Sequence, residues 1–321
     1  MVTLFSVIFA AYTISIIYIY KYRGNERYAS FGEYIRKGWP IFAPFNCFLY
    51  TQTKAEGRKP ILSGDFYDDL KVIRENWETI RDEAVALNED KVFATAHDPD
   101  SAAHYDIGFR TFYKRGWSKF YISWYGYTHD SAKRLCPKTV EILKDLKTIN
   151  GSMFSLLPPG GELTRHLDPF ACSYRYHLGL NTPNSDDCFI EVDQNKQSWR
   201  DGEAFMFDET FIHFAENNSD KDRLILMCDV ERPMGILGRL FNKLYKFSMR
   251  WMVVPNTEED KKGGGNRIFI KLNSFFAMSK ALKKKNRKLY KVVKFIFNSL
   301  LVVALIGLLY LPYYLITSVF S

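Results

Sequence analysis

Two long runs without any charged residue lie near the ends of this chain. Residues 2–20 form a run of 19 uncharged residues, and residues 295–320 form a second run of 26. A helix of about 20 apolar residues is long enough to cross a bilayer core of roughly 30 Å. The runs therefore predict a transmembrane helix at each end, residues 1–20 and 295–321. The alternative is two buried helices of a soluble protein.

Basic residues flank both runs on the side that faces the middle of the chain. Lys21, Arg23 and Arg27 follow the first run, and residues 279–294 contain eight Lys or Arg and no acid. Cytoplasmic flanks of membrane helices are enriched in Lys and Arg. The sequence therefore predicts a two-pass protein whose middle is cytoplasmic. The net charge of +8 favours anionic lipid over nucleic acid as a partner, because the basic residues crowd against the apolar runs.

The cysteines exclude two kinds of small, cross-linked domain. There are five, an odd number, and they are scattered without any C-x-x-C pair. This pattern matches neither a disulfide framework nor a zinc knuckle, and it is typical of a reducing compartment. We expect the cysteines to be packing residues.

The middle of the chain divides into a domain at 21–234 and a basic region at 235–294. Apolar residues recur at helical spacing over 63–88 and again from Pro137, which predicts two helices packed on a core. From about 107 to 232, short aromatic and β-branched runs separated by turn signals predict an antiparallel sandwich or barrel. The basic region alternates large apolar residues with Lys and Arg, which favours amphipathic helices in a membrane interface; ordinary domain-packing helices are the alternative.

One group of residues suits a metal ion. His166 and Asp168 are two residues apart, so they point to the same side of an extended strand, and His213 follows 47 residues after His166. Two histidines and one carboxylate that leave open positions are the ligand set of non-haem Fe(II) oxygenases. We therefore predict that these three residues bind iron and are catalytic, against the alternative of core histidines and a chance pair on a loop.

Two strands carry cationic residues that suit a cosubstrate. Arg223 begins the apolar strand RLILMCDV, ten residues after His213. A guanidinium binds a carboxylate bidentately and stays charged when buried, so Arg223 is predicted to bind the distal carboxylate of 2-oxoglutarate; a surface salt bridge is the alternative. Arg175 and His177 share one face of the strand SYRYHLGL. We interpret them as a second set of contacts to the cosubstrate rather than as metal ligands.

The block SLLPPGGELTRHLDPFACSYRYHLGL, followed by WRDGEAFMFDETFIHFAEN and DRLILMCDVERP, resembles the aspartyl/asparaginyl β-hydroxylase family. The resemblance implies an Fe(II)-, 2-oxoglutarate- and O2-dependent dioxygenase. It implies a fold that is mainly β with flanking helices, a double-stranded β-helix (jelly roll or cupin-like) catalytic domain. The residues that it implies as iron ligands are His166 and His213, and those that it implies as 2-oxoglutarate contacts are Ser155, Arg175, His177 and Arg223, with Ser155 and Arg223 at the distal carboxylate.

The choice of substrate depends on one departure from the family. The protein-hydroxylating branch lacks a carboxylate two residues after its first histidine, whereas this chain has Asp168 there. Motifs such as KRGWSKFYISWYG, RHLDPFA and CDVERPM instead resemble a bacterial lipid-modifying branch. This implies hydroxylation at carbon 2 of a fatty acyl chain of lipid A at the bacterial inner membrane, with both termini periplasmic. The alternatives are an ornithine-containing lipid, Asp or Asn of a peptide, or an inactive membrane-bound interaction module.

Overall fold

The computed structural model describes residues 2–104, 106 and 116–296 of the chain. The chain divides into two compact units, Met1–Asn266 and Arg267–Ser321. The helices are α1 (Val2–Lys21), α2 (Phe31–Lys37), α3 (Ala43–Gln52), α4 (Lys71–Glu75), α5 (Trp77–Glu89), α6 (Asp130–Leu135), α7 (Pro137–Leu143), α8 (Ile236–Met249) and α9 (Gly264–Lys285). The strands are β1 (Ile61–Ser63), β2 (Ser118–Trp124), β3 (Tyr127–Thr128), β4 (Ile149–Leu157), β5 (Glu162–His166), β6 (Ser173–Asn181), β7 (Cys188–Val192), β8 (Asn195–Ser198), β9 (Ala204–Phe207), β10 (His213–Asn217) and β11 (Arg223–Glu231).

The strands from β4 to β11 pair in a nested order. β4 pairs with β11, β5 with β10, β6 with β9 and β7 with β8, all antiparallel. Additional pairs of β6 with β11 and of β7 with β10 join these ribbons into two sheets. The strand orders are β1-β9-β6-β11-β4-β2-β3 and β5-β10-β7-β8. A ribbon folded in this way has the topology of a jelly roll, and the prediction of a mainly β domain with flanking helices is confirmed.

Alternate residues of β11 enter two separate apolar cores. Leu224 and Leu226 belong to a cluster on the outer face of the larger sheet, which α4 to α7 cover. Ile225 and Met227 belong to a second cluster, to which both sheets contribute residues. This period of two follows from the pleat of a strand, whose successive side chains point to opposite faces. The cysteines pack as predicted, since all five are free and four are buried.

The helix predicted over 63–88 is confirmed only in its second part. Ser63 ends strand β1, and the helical part is interrupted at Asn76 between α4 and α5. The helix predicted from Pro137 is confirmed as α7, with proline in its first turn, where the missing N–H costs nothing. The buried side chains of α5 recur at helical spacing and are those of Ile80, Ala84 and Leu87.

The prediction of two transmembrane helices needs a correction. Within the described part of the chain, no helix combines the length and the apolar character needed to cross a membrane. This finding contradicts the predicted two-pass arrangement in the inner membrane with a cytoplasmic domain and periplasmic termini. The first uncharged run forms α1, where Ile19 is buried in a cluster with Tyr34 and Ala43, so its apolar residues partly serve packing within the chain. Residues 297–321, which hold most of the second run, lie outside the described residues.

Helix α8 begins the predicted basic region at 235–294 and is amphipathic. Phe241 packs against Phe45 and Phe48 of α3, with ring centroids 6.1 and 6.2 Å apart. The interfacial role of this region stays a prediction. The large apolar side chains that α8 exposes are Ile236, Leu237, Leu240, Leu244 and Phe247.

Candidate metal centre

The three predicted metal ligands meet at one end of the smaller sheet. His166 is the last residue of β5 and His213 the first of β10, and the two are register partners. Their ring centroids lie 4.3 Å apart. Asp168 follows β5 on a loop, where its backbone N–H donates to the Glu209 carbonyl at 2.8 Å. As a result, potential ligand atoms of the three side chains all lie within 4.8 Å of one another.

Backbone carbonyls fix which ring nitrogen of each histidine can bind a metal. Nδ1 of His166 lies 2.8 Å from the Thr164 carbonyl, and Nδ1 of His213 lies 3.0 Å from the Phe211 carbonyl. A carbonyl can only accept a hydrogen bond, so each Nδ1 carries the proton. Each Nε2 then keeps a free lone pair, the state in which a neutral imidazole binds a metal.

The electrostatics of the site keep His213 and Asp168 in their metal-binding forms. Burial lowers the pKa of His213 to about 4, so His213 is neutral near pH 7. Burial opposes ionisation of Asp168, but the neighbouring His166 and the cation Arg175 outweigh it and lower the pKa of its carboxyl. His213 is 3% exposed, whereas the side chains of His166 and Asp168 are 24% and 28% exposed. The site is therefore open to solvent on the side of His166 and Asp168.

Arg223 is a fully buried cation with unused hydrogen-bond donors. Its Nη2 donates to Ser155 Oγ at 3.2 Å, but Nε and Nη1 have no partner among the described residues. The guanidinium lies over the rings of Trp117 and Trp199, 4.9 and 4.5 Å from their centroids. Burial lowers its pKa to about 10, which still leaves it charged at neutral pH. A buried charge without partners is costly, so these donors suit an anionic ligand.

His177 connects Arg223 to the metal ligands through a series of ring contacts. Its Nδ1 accepts a hydrogen bond from Trp199 Nε1 at 3.2 Å, and its Nε2 has no partner in the described part of the chain. Its ring centroid lies 5.9 Å from that of Trp199 and 5.1 Å from that of Phe207. Phe207 in turn lies 5.5 Å from His213. The predicted metal ligand His213 and the predicted cosubstrate residues His177 and Arg223 are therefore connected by a continuous series of ring contacts.

Arg175, predicted as a cosubstrate contact, is surrounded by carboxylates of the chain itself. Its Nη1 donates to Asp229, and its Nη2 lies 2.5 Å from Glu209 Oε2 and 3.5 Å from Asp168 Oδ2. Burial opposes its charge, but the three carboxylates outweigh this effect and raise the pKa of Arg175. The structure thus joins Arg175 directly to the predicted metal ligand Asp168.

The match to a known family covers all of these residues. The model of the aspartyl/asparaginyl beta-hydroxylase family matches residues 74–233. That range contains the whole jelly roll and each of the side chains that form the candidate centre. This domain belongs to the aspartyl/asparaginyl beta-hydroxylase family. The family resemblance predicted from the sequence is confirmed at this level.

Relatives of this hydroxylase-family domain include lipid and protein hydroxylases. The ornithine lipid ester-linked acyl 2-hydroxylase of Rhizobium tropici is 32% identical over 127 residues, which are 39% of this chain and 45% of that protein. The human aspartyl/asparaginyl beta-hydroxylase is 27% identical over 169 residues, 51% of this chain and 21% of that protein. The chain thus spans less than half the length of these relatives. A crystal structure of a Pseudomonas putida prolyl-4-hydroxylase matches with a TM-score of 0.31 and 16% identity, covering 50% of this chain and 87% of that one.

Two polar residues of the hydroxylase-family centre were missed from the sequence. Glu209 and Asp229 are both 5% exposed and both contact Arg175. Asp229 lies opposite Arg175 in the pairing of β11 with β6, and Glu209 lies in the loop between β9 and β10. A signal for Asp229 was present, because a carboxylate in the apolar run LILMCDV is costly to bury without a cation. The cation could be identified only once the strand register was known.

Proposed function

We propose that this chain is an Fe(II)- and 2-oxoglutarate-dependent oxygenase that hydroxylates carbon 2 of a fatty acyl chain in a lipid. The observation that carries the proposal is the His166–Asp168–His213 group beside a buried Arg223 with unpaired donors. Two neutral imidazoles and one carboxylate suit Fe(II), and an unpaired guanidinium suits a carboxylate. When bound, Fe(II), O2 and 2-oxoglutarate supply the oxidation that replaces a C–H bond with C–OH and releases succinate and CO2.

The residues of the chain bind, orient and shield the reactants. His166, Asp168 and His213 would hold the iron. Ser155 and Arg223 would bind the distal carboxylate of 2-oxoglutarate, since Arg223 has donors to spare and Ser155 already contacts it. Reactions of this kind depend on orientation of the reactants and on exclusion of water. The buried position of Arg223 between two tryptophan rings supports both roles.

His177 and Arg175 would complete the contacts around the cosubstrate. The unpaired Nε2 of His177 supports a direct contact with a bound ligand. Arg175 already contacts Glu209 and Asp229, so its contact with the cosubstrate would be additional to these ion pairs. Burial lowers the pKa of His177 well below its ordinary value, so its ring would act as a neutral hydrogen-bonding group.

Lipid A is the substrate that we propose first, and an ornithine-containing lipid is the second candidate. Long motifs shared with the lipid-modifying branch favour lipid A. The similarity to an ornithine lipid acyl 2-hydroxylase favours the second. Both lipids carry acyl chains, so the same iron and cosubstrate residues would serve either reaction. Asp168, at a position where the protein-hydroxylating branch lacks a carboxylate, argues for a lipid over an Asp or Asn side chain.

Mass spectrometry of lipids from a Gram-negative host without its own hydroxylase would test the proposal. The host would express the full chain, the His213→Ala variant or the His129→Ala variant. His129 is a buried histidine whose Nε2 contacts the Val254 carbonyl, so it controls for loss of a buried ring. We expect one added oxygen on an acyl chain with the wild type and the His129 variant only. An iron-loaded wild type that modifies neither lipid A nor ornithine lipids would refute the proposed substrate class.

A further inference from the structure

The guanidinium of Arg175 holds together three carboxylates from three different parts of the fold. Asp229 lies on β11, directly opposite Arg175 on β6. Glu209 lies in the loop before β10, and Asp168 lies in the loop after β5. Nη2 of Arg175 is 2.5 Å from Glu209 Oε2 and 3.5 Å from Asp168 Oδ2, while Nη1 donates to Asp229. Only Asp168 among the three carboxylates belongs to the proposed metal ligands.

Glu209 and Asp229 are themselves held on the side away from Arg175. Ser173 Oγ donates to Glu209 Oε1 at 3.1 Å, and Tyr125 Oη donates to Asp229 Oδ2 at 3.2 Å. The main-chain carbonyl of Glu209 also accepts the backbone N–H of Asp168 at 2.8 Å. Glu209 therefore constrains Asp168 twice, through its backbone and through Arg175.

The four side chains of this group are packed closely together, and two of the carboxylates lie away from water. Glu209 and Asp229 are each only 5% exposed, so water screens the interactions within the group poorly. Partners of metal-binding side chains orient them and tune their affinity for the metal.

We infer that Glu209 and Asp229 are positioning residues that hold Asp168 in its metal-binding orientation through Arg175. Asp168 lies on a loop beyond the end of β5, where the strand ladder no longer fixes its side chain. Arg175, anchored on the central strand β6, supplies the missing constraint. Its own orientation is fixed because each of its two terminal nitrogens contacts a separate carboxylate. The inference rests on the proposed metal centre.

Titration of the metal-free, full-length protein with Co²⁺ alone tests the inference. The visible bands of bound Co²⁺ report the geometry of its ligands, and the titration gives the affinity. Removing a partner of a metal ligand typically weakens metal binding about 10–100-fold. We expect a loss of that size, with altered bands, for Glu209→Gln and for Asp229→Asn, two independent changes that keep the size of the side chain.

Asp260→Asn is the matched control. Asp260 is 4% exposed and accepts hydrogen bonds from Ser131, Asn256 and Thr257, none of which is in the metal centre. This variant makes the same chemical change in another buried polar group, and we expect it to lower stability without changing the Co²⁺ affinity. Urea unfolding of each variant would show that it is folded before titration.

The outcomes separate failure of this inference from failure of the proposed function. If the wild type binds no Co²⁺, the proposed metal centre itself fails. If the wild type binds Co²⁺ and Glu209→Gln and Asp229→Asn bind it within about twofold of the wild type, the positioning role is overturned. A rise in KM for 2-oxoglutarate in these variants, with unchanged Co²⁺ affinity and bands, would overturn it too, because Glu209 and Asp229 would then support only the cosubstrate contact of Arg175.

Discussion

His166 and His213 lie directly opposite each other across the antiparallel pair of β5 and β10. Opposite residues in such a pair have Cβ atoms about 4.5–5.5 Å apart and point to the same face. Their ring centroids are 4.3 Å apart, and each Nδ1 contacts a carbonyl of its own strand or loop. The position of the candidate metal centre therefore follows from the strand register as well as from the predicted ligand residues.

Loss of one of these histidines should abolish tight metal binding. In His213→Ala only one imidazole and one carboxylate remain, so we expect Co²⁺ affinity to fall by more than about 100-fold, beyond the loss typical of a ligand's partner. Isothermal titration of the metal-free protein measures this. His129→Ala, which removes a buried ring elsewhere, should retain the wild-type affinity. Equal affinities of the wild type and His213→Ala would place the metal elsewhere.

How much of the site the sequence predicts depends on whether a signal is local. His166 and Asp168 are two residues apart and were paired from spacing alone. His213 and Arg223 are predicted as site residues from their order along the chain. The pairing of β10 with β5 then brings His213 next to His166. Glu209 and Asp229 were missed because only the register of β6 with β11 and the path of the loop before β10 bring them to Arg175.

The terminal runs show a second limit of sequence reasoning. Absence of charge over 19 residues predicts an apolar helix, and α1 is indeed a helix over Val2–Lys21. The pattern does not determine what the apolar side chains contact. Ile19 and Tyr34 lie together in one cluster with Leu167, the residue between two proposed metal ligands. Such contacts depend on tertiary structure and leave no mark on the uncharged run itself.

His213 should contribute a loss of stability to the metal-free protein as the pH drops from 6.5 toward 4. Burial lowers the pKa of His213 to about 4. Between pH 6.5 and 4, His213 is therefore protonated in the unfolded chain but largely neutral in the folded chain. At pH 4.5 the difference in pKa corresponds to about 2–3 kcal/mol of lost unfolding free energy. The lowered pKa of Asp168 acts below its ordinary value of 3.8, outside this window.

Urea unfolding at pH 7 and pH 4.5 measures this loss, with His213→Gln as the reference. Other buried histidines, including His177, shift in the same direction, so the wild type alone does not isolate the contribution of His213. The variant should lose about 2–3 kcal/mol less than the wild type between the two pH values. Identical losses in both proteins would contradict the prediction.

Asp208→Ala should destabilise the fold strongly. Asp208 accepts two hydrogen bonds from Arg232, at 2.6 and 2.9 Å, and one from Arg23 at 2.9 Å. Removing the carboxylate leaves buried cations unpaired, at a cost of about 3–5 kcal/mol. Urea unfolding measures this loss in the free energy of unfolding.

Asp186→Ala is the control. It breaks an ion pair with Arg200 whose carboxylate is 80% exposed, so it should cost no more than about 1 kcal/mol. Similar losses in the two variants would show that burial of the Asp208 pair is unimportant.

Substitution of Arg223 should weaken binding of 2-oxoglutarate. Arg223→Lys keeps a charge but loses the planar fork of donors, and Arg223→Met removes both. Hydrogen bonds to charged groups contribute about 1.5–3 kcal/mol, so we expect the KM for 2-oxoglutarate to rise roughly 10–100-fold, more for Met than for Lys. Succinate formation at varied 2-oxoglutarate concentration measures the effect.

Two further variants serve as comparisons. Ser155→Ala removes one contact of Arg223 and should raise the KM for 2-oxoglutarate less. Arg200→Lys, on the exposed ion pair, should leave this KM unchanged. If both Arg223 variants kept the wild-type KM while binding Co²⁺ normally, another cation would hold the cosubstrate, and His177 and Arg175 would be the next residues to vary.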